Sequence, residues 1–560
     1  MKRWAPLVLA AILIVALCVR LVPAFSSPYP YNVDGYPLVK GAERAISDGH
    51  WDIGNAAEGI ERYNAKMPLF SYMLASLSVV FGIEPMRAVQ LLTALLGVVA
   101  VLLGYALAKK VSGSETAALA CAAVLALSGF FVYLTAAAMK EALGLALLLL
   151  AFLLYMGRED PKHRMLLAAV LLLLPLAHHL TALVALLFIT IAAVSSLVNK
   201  WRGGVLKAHG IVQEIALGPA LLFFCLAYYQ AINMEFYTNV SSVNEIALFG
   251  AIAFLGIVVG IILSLPAMTK PWMFLDLKPG KMPVPMLFDE KTLAVLIGIA
   301  GIALNSRRVL FQGTLLTSDA LLAGFLPILL MMLVAIVGYN LIRYSSFADK
   351  GAVAAMALAP IAIMEFSVAR GLDPFSFSLA YRAFDYLDPF IALGAGVGIA
   401  FLLALLWKRY RDAPAKRICA CFAVGAAFVL VLAATTPLAY ESEQLFGVRN
   451  ETLPQEFSAG EWASSHNLTE VRTNSRYYEI YSPYFGMSCD PTLPYVLKEG
   501  RNPGTAPLLL SDEWTADGAQ SFFSTRVVVS QASFDSAVGG GSLVYCAGPA
   551  GRQMLIVLPG

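Results

Sequence analysis

Apolar residues are grouped along this chain in blocks of about 18 to 25, and a helix of that length crosses a hydrocarbon core of about 30 Å. Thirteen such segments are predicted, at 4 to 25, 86 to 108, 115 to 134, 139 to 156, 164 to 177, 180 to 198, 211 to 231, 246 to 265, 290 to 304, 319 to 342, 349 to 367, 387 to 407 and 415 to 437. The segments at 164 to 177 and 290 to 304 are short for a full crossing and read as tilted or broken helices. The loop at 26 to 85 is the longest between segments, and "MPLFSYMLASLSVVFG" at 67 to 82 inside it opens with Pro and leaves little room to cross and return. That stretch predicts an interfacial or re-entrant helix. From about residue 438 the apolar blocks stop, and aromatic clusters such as "RYYEIYSPYFG" appear. The β-branched run "STRVVVSQ" and the later "SLVYCAGPAGRQMLIVLPG" predict strands there. The expected fold is therefore an all-α polytopic membrane domain over residues 1 to 437, followed by a small α/β domain over 438 to 560.

Composition agrees: 59% hydrophobic and 14% charged residues, with a mean hydropathy of +0.73, exclude a single soluble core. A net charge of +2 without a long basic run excludes nucleic acid as a partner, because phosphate binding needs clustered Lys and Arg. The first segment follows "MKR" and reads as an anchor rather than a cleaved signal, since Arg20 and Pro23 stand where a small-residue cleavage site would be. With the N-terminus inside, the cytoplasmic loops hold 21 Lys and Arg and the outer loops before residue 438 about ten, as the positive-inside rule requires. An odd number of spans then places the loop at 26 to 85 and the C-terminal domain outside the cytoplasm. The tripeptides starting at Asn239, Asn450 and Asn467 are glycosylation sequons that fall on that side. Five of the seven cysteines lie in apolar segments, while Cys489 and Cys546 lie in the C-terminal domain and are candidates for a disulfide there.

Ionisable residues at the outer ends of membrane helices are costly and are read first as functional. Asp34, in "YNVDGYP", is tied to the first helix by only about eight residues and so stays near the bilayer surface. A carboxylate there can take a proton from an attacking hydroxyl or help to hold a divalent cation; the alternative is a plain Asx-turn residue, since Asp-Gly is a common turn pair. Glu141, in "MKEAL", stands at a predicted helix start, where the dipole favours a carboxylate. His178 and His179 reach the outer side at a helix hairpin, where donor binding and ordinary packing both remain open. Arg307, Arg308, Arg370 and Arg382 are cations that stay ionised near lipid, and each is either a site for an anionic group such as phosphate or an interfacial anchor.

A first helix ending in Arg, then "DGYPLVKGAERAISDGHW" and "YNAKMPLFSYMLASLSVVFG", resembles the C-type glycosyltransferase superfamily of polyprenyl-phosphate-dependent membrane enzymes, and within it the prokaryotic and archaeal oligosaccharyltransferases. "YLTAAAMKEALGLALLLLAFLLY" and "LPLAHHLTALVALLF" extend the resemblance, which is strongest over residues 1 to 200 and nearly absent in the C-terminal domain. It implies a glycosyltransferase that takes sugar from a polyprenyl-phosphate donor, with Asp34 as the essential carboxylate near the acceptor. It also implies Glu141 as the second acid, Arg382 in "YRAFDYLDP" on the donor phosphate, and Tyr36, the aromatic two residues past Asp34, beside the substrate. The paired Asp-x-Asp of oligosaccharyltransferases is missing, so Mg or Mn held by Asp34 and Glu141 is a possible cofactor rather than a required one. "SVNE", ending in Glu245, has the letters of the oligosaccharyltransferase Ser/Thr-Val/Ile-x-Glu motif but falls earlier in the chain, and the Trp-Trp-Asp peptide-binding signature is absent. The alternatives are an oligosaccharyltransferase acting on Asn-x-Ser/Thr and a lipid or glycan transporter, against which the lack of an internal repeat counts.

Overall fold

The computed structural model describes residues 4–54, 56, 59–205, 208–234, 242–265, 318–345, 347, 349–371, 374–440, 449–521 and 526–560. Within them every predicted apolar segment is helical; the segment at 290 to 304 lies outside the described residues, as do Arg307, Arg308 and Asn239. Among the described residues, six helices are long and apolar enough by length and composition to cross a membrane, Pro85–Ser112 and His179–Arg202 among them. A seventh span results if the bent pair Glu115–Leu127 and Gly129–Ala136 counts as one.

That bent pair turns by 65° at Ser128. A break of this kind strands carbonyl groups that have no helical donor, which a membrane interior penalises heavily. Arg20, the last residue of the helix Ala5–Arg20, supplies the donors: Nη2 to Leu125 O at 2.9 Å, Nη1 to Ala126 O at 3.2 Å and Nε to Thr135 Oγ1 at 2.8 Å. Arg20 is fully buried, so it splints the broken helix and does not reach the surface.

In the loop at 26 to 85, Gly35–Asp48 and Leu69–Phe81 form a helical pair, packed through Leu38, Val39 and Ala42 against Phe70 and Leu74. Leu69–Phe81 has 13 residues and spans about 20 Å, too short to cross. Its apolar tip, Val79 to Phe81, is exposed.

The C-terminal region carries a five-stranded mixed sheet. Leu508–Ser511 is its central strand, buried at every residue, with Glu470–Arg472 parallel on one side and Met554–Pro559 antiparallel on the other. Ser488–Asp490 and Gly541–Ala547 are the two edges. Cys489 and Cys546 lie on those opposite edges and both are free thiols. Strands repeat every ~4.8 Å, which puts the two residues roughly 19 Å apart, against the ~6 Å that a disulfide spans. The expected disulfide is therefore corrected.

The sheet does not bury its faces alone. Val33 and Tyr36 of the outer loop belong to the same buried cluster as Val471, Leu509, Trp514 and Ile556. The ring of Tyr36 stands 6.1 Å from Phe457 and 5.8 Å from Tyr484, and Tyr484 OH donates to Glu43 Oε1 at 3.2 Å. The loop at 26 to 85 and the C-terminal region share one core.

Candidate active site

Asp34 is the residue immediately before the helix Gly35–Asp48, and its carboxylate makes no capping bond to that helix. Asn32 makes the Asx turn instead, with Oδ1 accepting the Asp34 N–H at 2.9 Å. Asn32 has φ of 100°, a left-handed conformation that Asn tolerates better than most residues. It is held there by Asn450, whose carbonyl accepts the Asn32 N–H at 3.1 Å and whose Oδ1 accepts from Asn32 Nδ2 at 3.0 Å. Asn450 is buried in this role, so its sequon is not a surface acceptor. At Gly35 a Cβ would lie 2.5 Å from Pro30 Cβ and 2.9 Å from Ala138 Cβ, so only glycine lets the loop seat against the turn that leads into Glu141. Ala138 N–H donates to Tyr31 O at 2.7 Å across the same contact. The turn reading of Asp34 thus passes to Asn32, and the Asp34 carboxylate is left half-buried and turned toward other charges.

Those charges come from distant parts of the chain. Arg382, on the helix Pro374–Asp385, places Nη1 2.9 Å from Glu141 Oε1 and Nη2 3.8 Å from Asp34 Oδ2. Glu141 opens the helix Glu141–Tyr155, where the dipole favours a carboxylate, but its side chain is committed to Arg382 and to His178 Nε2 at 3.3 Å. His178 is fully buried at the turn before His179–Arg202. Its Nδ1 lies 2.9 Å from Thr181 Oγ1 and 3.1 Å from Tyr386 OH, and those hydroxyls are 2.7 Å apart. A hydroxyl donating to Nδ1 puts the ring proton on Nε2, which faces Glu141 Oε1 at 3.3 Å as an electrostatic contact without hydrogen-bond geometry. Gly144 makes room for this: a Cβ there would meet Thr181 Oγ1 at 2.5 Å. Lys140, beside Glu141, donates to Asn64 Oδ1 at 2.9 Å and sits over the Tyr63 ring, while Tyr63 OH lies 3.3 Å from His179 Nδ1.

Burial pushes the Asp34 carboxyl above the ordinary range; Arg382 opposes this, and the charge of Glu141 reinforces it. A further acid, Glu479, enters from the C-terminal region on the helix Ser475–Phe485. Burial pushes its carboxyl up to about 8, with the Asp34 charge adding to the rise and Arg382 and Arg476 opposing it. Glu479 lies inside "RYYEIYSPYFG", a stretch that its composition marks only as domain core. Thr181 and Tyr386 likewise carry no local signal, since a hydroxyl in an apolar helix has many ordinary uses.

The expected contacts divide. Asp34, Glu141, His178 and Arg382 converge, and His179 stands one shell behind them through Tyr63. Tyr36 does not face the cleft: it is fully buried against Phe457 and Tyr484, because the loop uses it to grip the C-terminal region. Arg370 and Glu245 pair with each other, Nε to Oε1 at 2.7 Å, where neighbouring helices end and begin, rather than with Asp34 or Glu141. The "SVNE" letters are a helix start, with Ser242 Oγ accepting the Glu245 N–H at 3.3 Å. Among the described residues no three His, Cys, Asp or Glu side chains converge in a metal-binding arrangement. The Asp34 and Glu141 pair faces a guanidinium, so this donor set does not fit Mg or Mn.

No protein-family model matches the sequence, and no curated protein is similar to it. Solved structures are similar in fold. The oligosaccharyltransferase of Archaeoglobus fulgidus in the apo form superposes with a TM-score of 0.53 at 14% identity, over 92% of this chain and 70% of that one. The archaeal oligosaccharyltransferase AglB from the same organism, in complex with an inhibitory peptide and a dolichol-phosphate, gives 0.51 at 12% identity, over 99% of this chain and 74% of that one. A complex of the Archaeoglobus fulgidus protein with Zn and sulfate gives 0.51 at 12%, over 98% and 72%. The chain shares its fold with these archaeal oligosaccharyltransferase structures.

Proposed function

We propose that this protein is a multi-pass membrane glycosyltransferase that transfers a sugar from a polyprenyl-phosphate donor to an acceptor outside the cytoplasm. The observation that carries this reading is the convergence of Asp34, Glu141 and Arg382 at the junction of the outer loop, the helix bundle and the C-terminal region. A base and a cation set side by side at that junction suit a displacement whose nucleophile arrives from water and whose leaving group remains in lipid. The dolichol-phosphate bound by the archaeal protein of the same fold supports a polyprenyl-phosphate partner.

The chemistry follows from the charges. The acceptor oxygen attacks the anomeric carbon on the face opposite the phosphate, and its proton passes to the Asp34 carboxylate, whose raised proton affinity favours that transfer. The bond from the anomeric carbon to the phosphate oxygen breaks, and its electron pair leaves with the lipid phosphate. One displacement inverts the anomeric centre. Charge grows on the phosphate as it departs, and Arg382 and Lys140 are the cations near enough to the carboxylates to receive it. His178, fixed by Thr181 and Tyr386, orients Glu141, which in turn aims Arg382.

Sidedness is supported twice. Basic residues concentrate in the loops assigned to the cytoplasm, which favours a thirteen-span reading with the N-terminus inside and the C-terminal region outside. The outer loop and the C-terminal region, joined by Asn32 and Asn450, then lie on one face. The test is Asp34→Asn in membranes supplied with lipid-linked sugar. A fall of about 10² to 10⁴ in turnover is expected for loss of a general base, and normal turnover by well-folded variant protein would rule the role out.

An oligosaccharyltransferase acting on Asn-x-Ser/Thr is the second reading, favoured by the inhibitory peptide bound in the archaeal relative of the fold. Against it, Trp514 of "SDEWTADG" is fully buried and Glu513 pairs with Arg449, so that segment offers no aromatic surface to a peptide. Transfer to a labelled sequon peptide separates the two.

A further inference from the structure

The two carboxylates that would be asked to hold a divalent cation are already bridged by a side chain of this protein. Mg bound to carboxylates sits about 2.1 Å from each oxygen and takes about six oxygen ligands. Here Arg382 Nη1 lies 2.9 Å from Glu141 Oε1, and Nη2 faces Asp34 Oδ2 at 3.8 Å, so the guanidinium fills the gap that the ion would need. The rest of the surroundings is equally unsuited. His178 spends Nδ1 on two hydroxyls and Nε2 on Glu141, Lys140 adds a second positive charge, and among the described residues no third ligand joins the pair. A dication inserted between Asp34 and Glu141 would meet two fixed cations, Arg382 and Lys140.

We infer that Arg382 is the built-in cation of this site, and that the protein binds no divalent metal between Asp34 and Glu141. The guanidinium then does two tasks that a metal would do: it holds the two acids at a fixed separation, and it presents its remaining N–H donors to the departing phosphate. Its planar fork suits both, because it can contact carboxylate and phosphate oxygens at once and stays charged at any working pH. The phosphate task rests on the glycosyl-transfer reading; the absence of a metal site does not.

The experiment is Mn(II) binding to the purified, detergent-solubilised full chain, followed by electron paramagnetic resonance and by calorimetry. No donor sugar is needed, so its outcome is independent of whether transfer has been reconstituted. Wild-type protein is expected to show no saturable Mn(II) site. Arg382→Ala, which removes the guanidinium and leaves both carboxylates, is expected to gain one site with a Kd of about 0.1 to 1 mM, the range of weakly ligated oxygen sites. Adding Glu141→Gln to that variant should abolish the gained site, and Arg382→Lys, which keeps a cation, should not create it. Stoichiometric Mn(II) binding by the wild type that is lost in Asp34→Asn would overturn the inference. So would an Arg382→Ala protein that elutes as a folded monodisperse species and gains no site. If Arg382→Ala does not fold, the wild-type and Asp34→Asn measurements alone decide. Where transfer is reconstituted, chelation by EDTA should leave its rate unchanged, and a chelator-sensitive rate restored by Mn(II) counts against the built-in cation.

Discussion

Asn32 Nδ2 donates to Asn450 Oδ1 at 3.0 Å, joining a residue of the loop at 26 to 85 to one that lies 418 positions further along the chain. This bond sets the orientation of Asp34, because Asn32 also accepts the Asp34 N–H and holds an uncommon backbone conformation while doing so. The Asp34 carboxylate is therefore positioned by the C-terminal region as much as by its own loop.

A substitution series at Asn32 checks this. Asn32→Gly keeps access to positive φ but loses both side-chain bonds, whereas Asn32→Val loses the bonds and adds backbone strain of about 1 to 3 kcal/mol. Turnover is expected to fall in the order Asn, Gly, Val, with Asn450→Ala close to the glycine variant. Equal activity across the series would show that the turn does not position Asp34.

Tyr36 separates a gripping role from a substrate contact. Tyr36→Phe keeps the ring between Phe457 and Tyr484 and should leave both stability and turnover nearly unchanged. Tyr36→Ala removes a fully buried ring and should cost about 3 to 5 kcal/mol, read as a lower melting temperature in detergent.

Arg20 predicts a stability defect with intact chemistry. Arg20→Met strips the donors from Leu125 O and Ala126 O at the bend, each unsatisfied group costing about 1 to 3 kcal/mol. Expression and thermal stability should drop sharply, while the activity per folded molecule holds. Arg20→Lys should rescue only in part, since one ammonium cannot match the guanidinium's fan of contacts.

Glu479 predicts a pH dependence of stability. Its folded-state carboxyl is pushed from about 4.5 up to about 8, so the folded protein keeps a proton that the unfolded chain releases. The stability this contributes is full below about 4.5 and is lost as pH rises through about 8. Glu479→Gln should flatten that decline and melt at a higher temperature than the wild type on the alkaline side. A wild-type melting profile that rises with pH across this window would contradict the assignment.

The ion pair at the centre predicts coupling. Arg382→Gln and Glu141→Gln should each destabilise by no more than about 3 kcal/mol, because Arg382 retains 34% exposure and water partly screens the loss. The double variant should cost less than the sum of the two.

Much of this protein is written in its local sequence. An apolar block of membrane-spanning length must form a helix, because backbone groups in hydrocarbon can be satisfied only within their own segment, and the helices stand where the blocks do. Asp34 and Glu141 were legible for a related reason: an ionised side chain beside lipid is expensive, so its presence alone draws notice. The short-range letters misled where their meaning depended on partners. "SVNE" is a capped helix start, Asn450 is an internal hydrogen-bonding residue, and Cys489 and Cys546 are parted by the width of a sheet. Only the tertiary structure decided which charges meet. Residues 34, 141, 178, 382 and 479 come together through the packing of helices and a sheet from five regions of the chain, and no periodicity within any one of them specifies the others. A helix is fixed by the solvent its own residues see, whereas a site of this kind is fixed by long-range contacts that exist only once the whole core has closed.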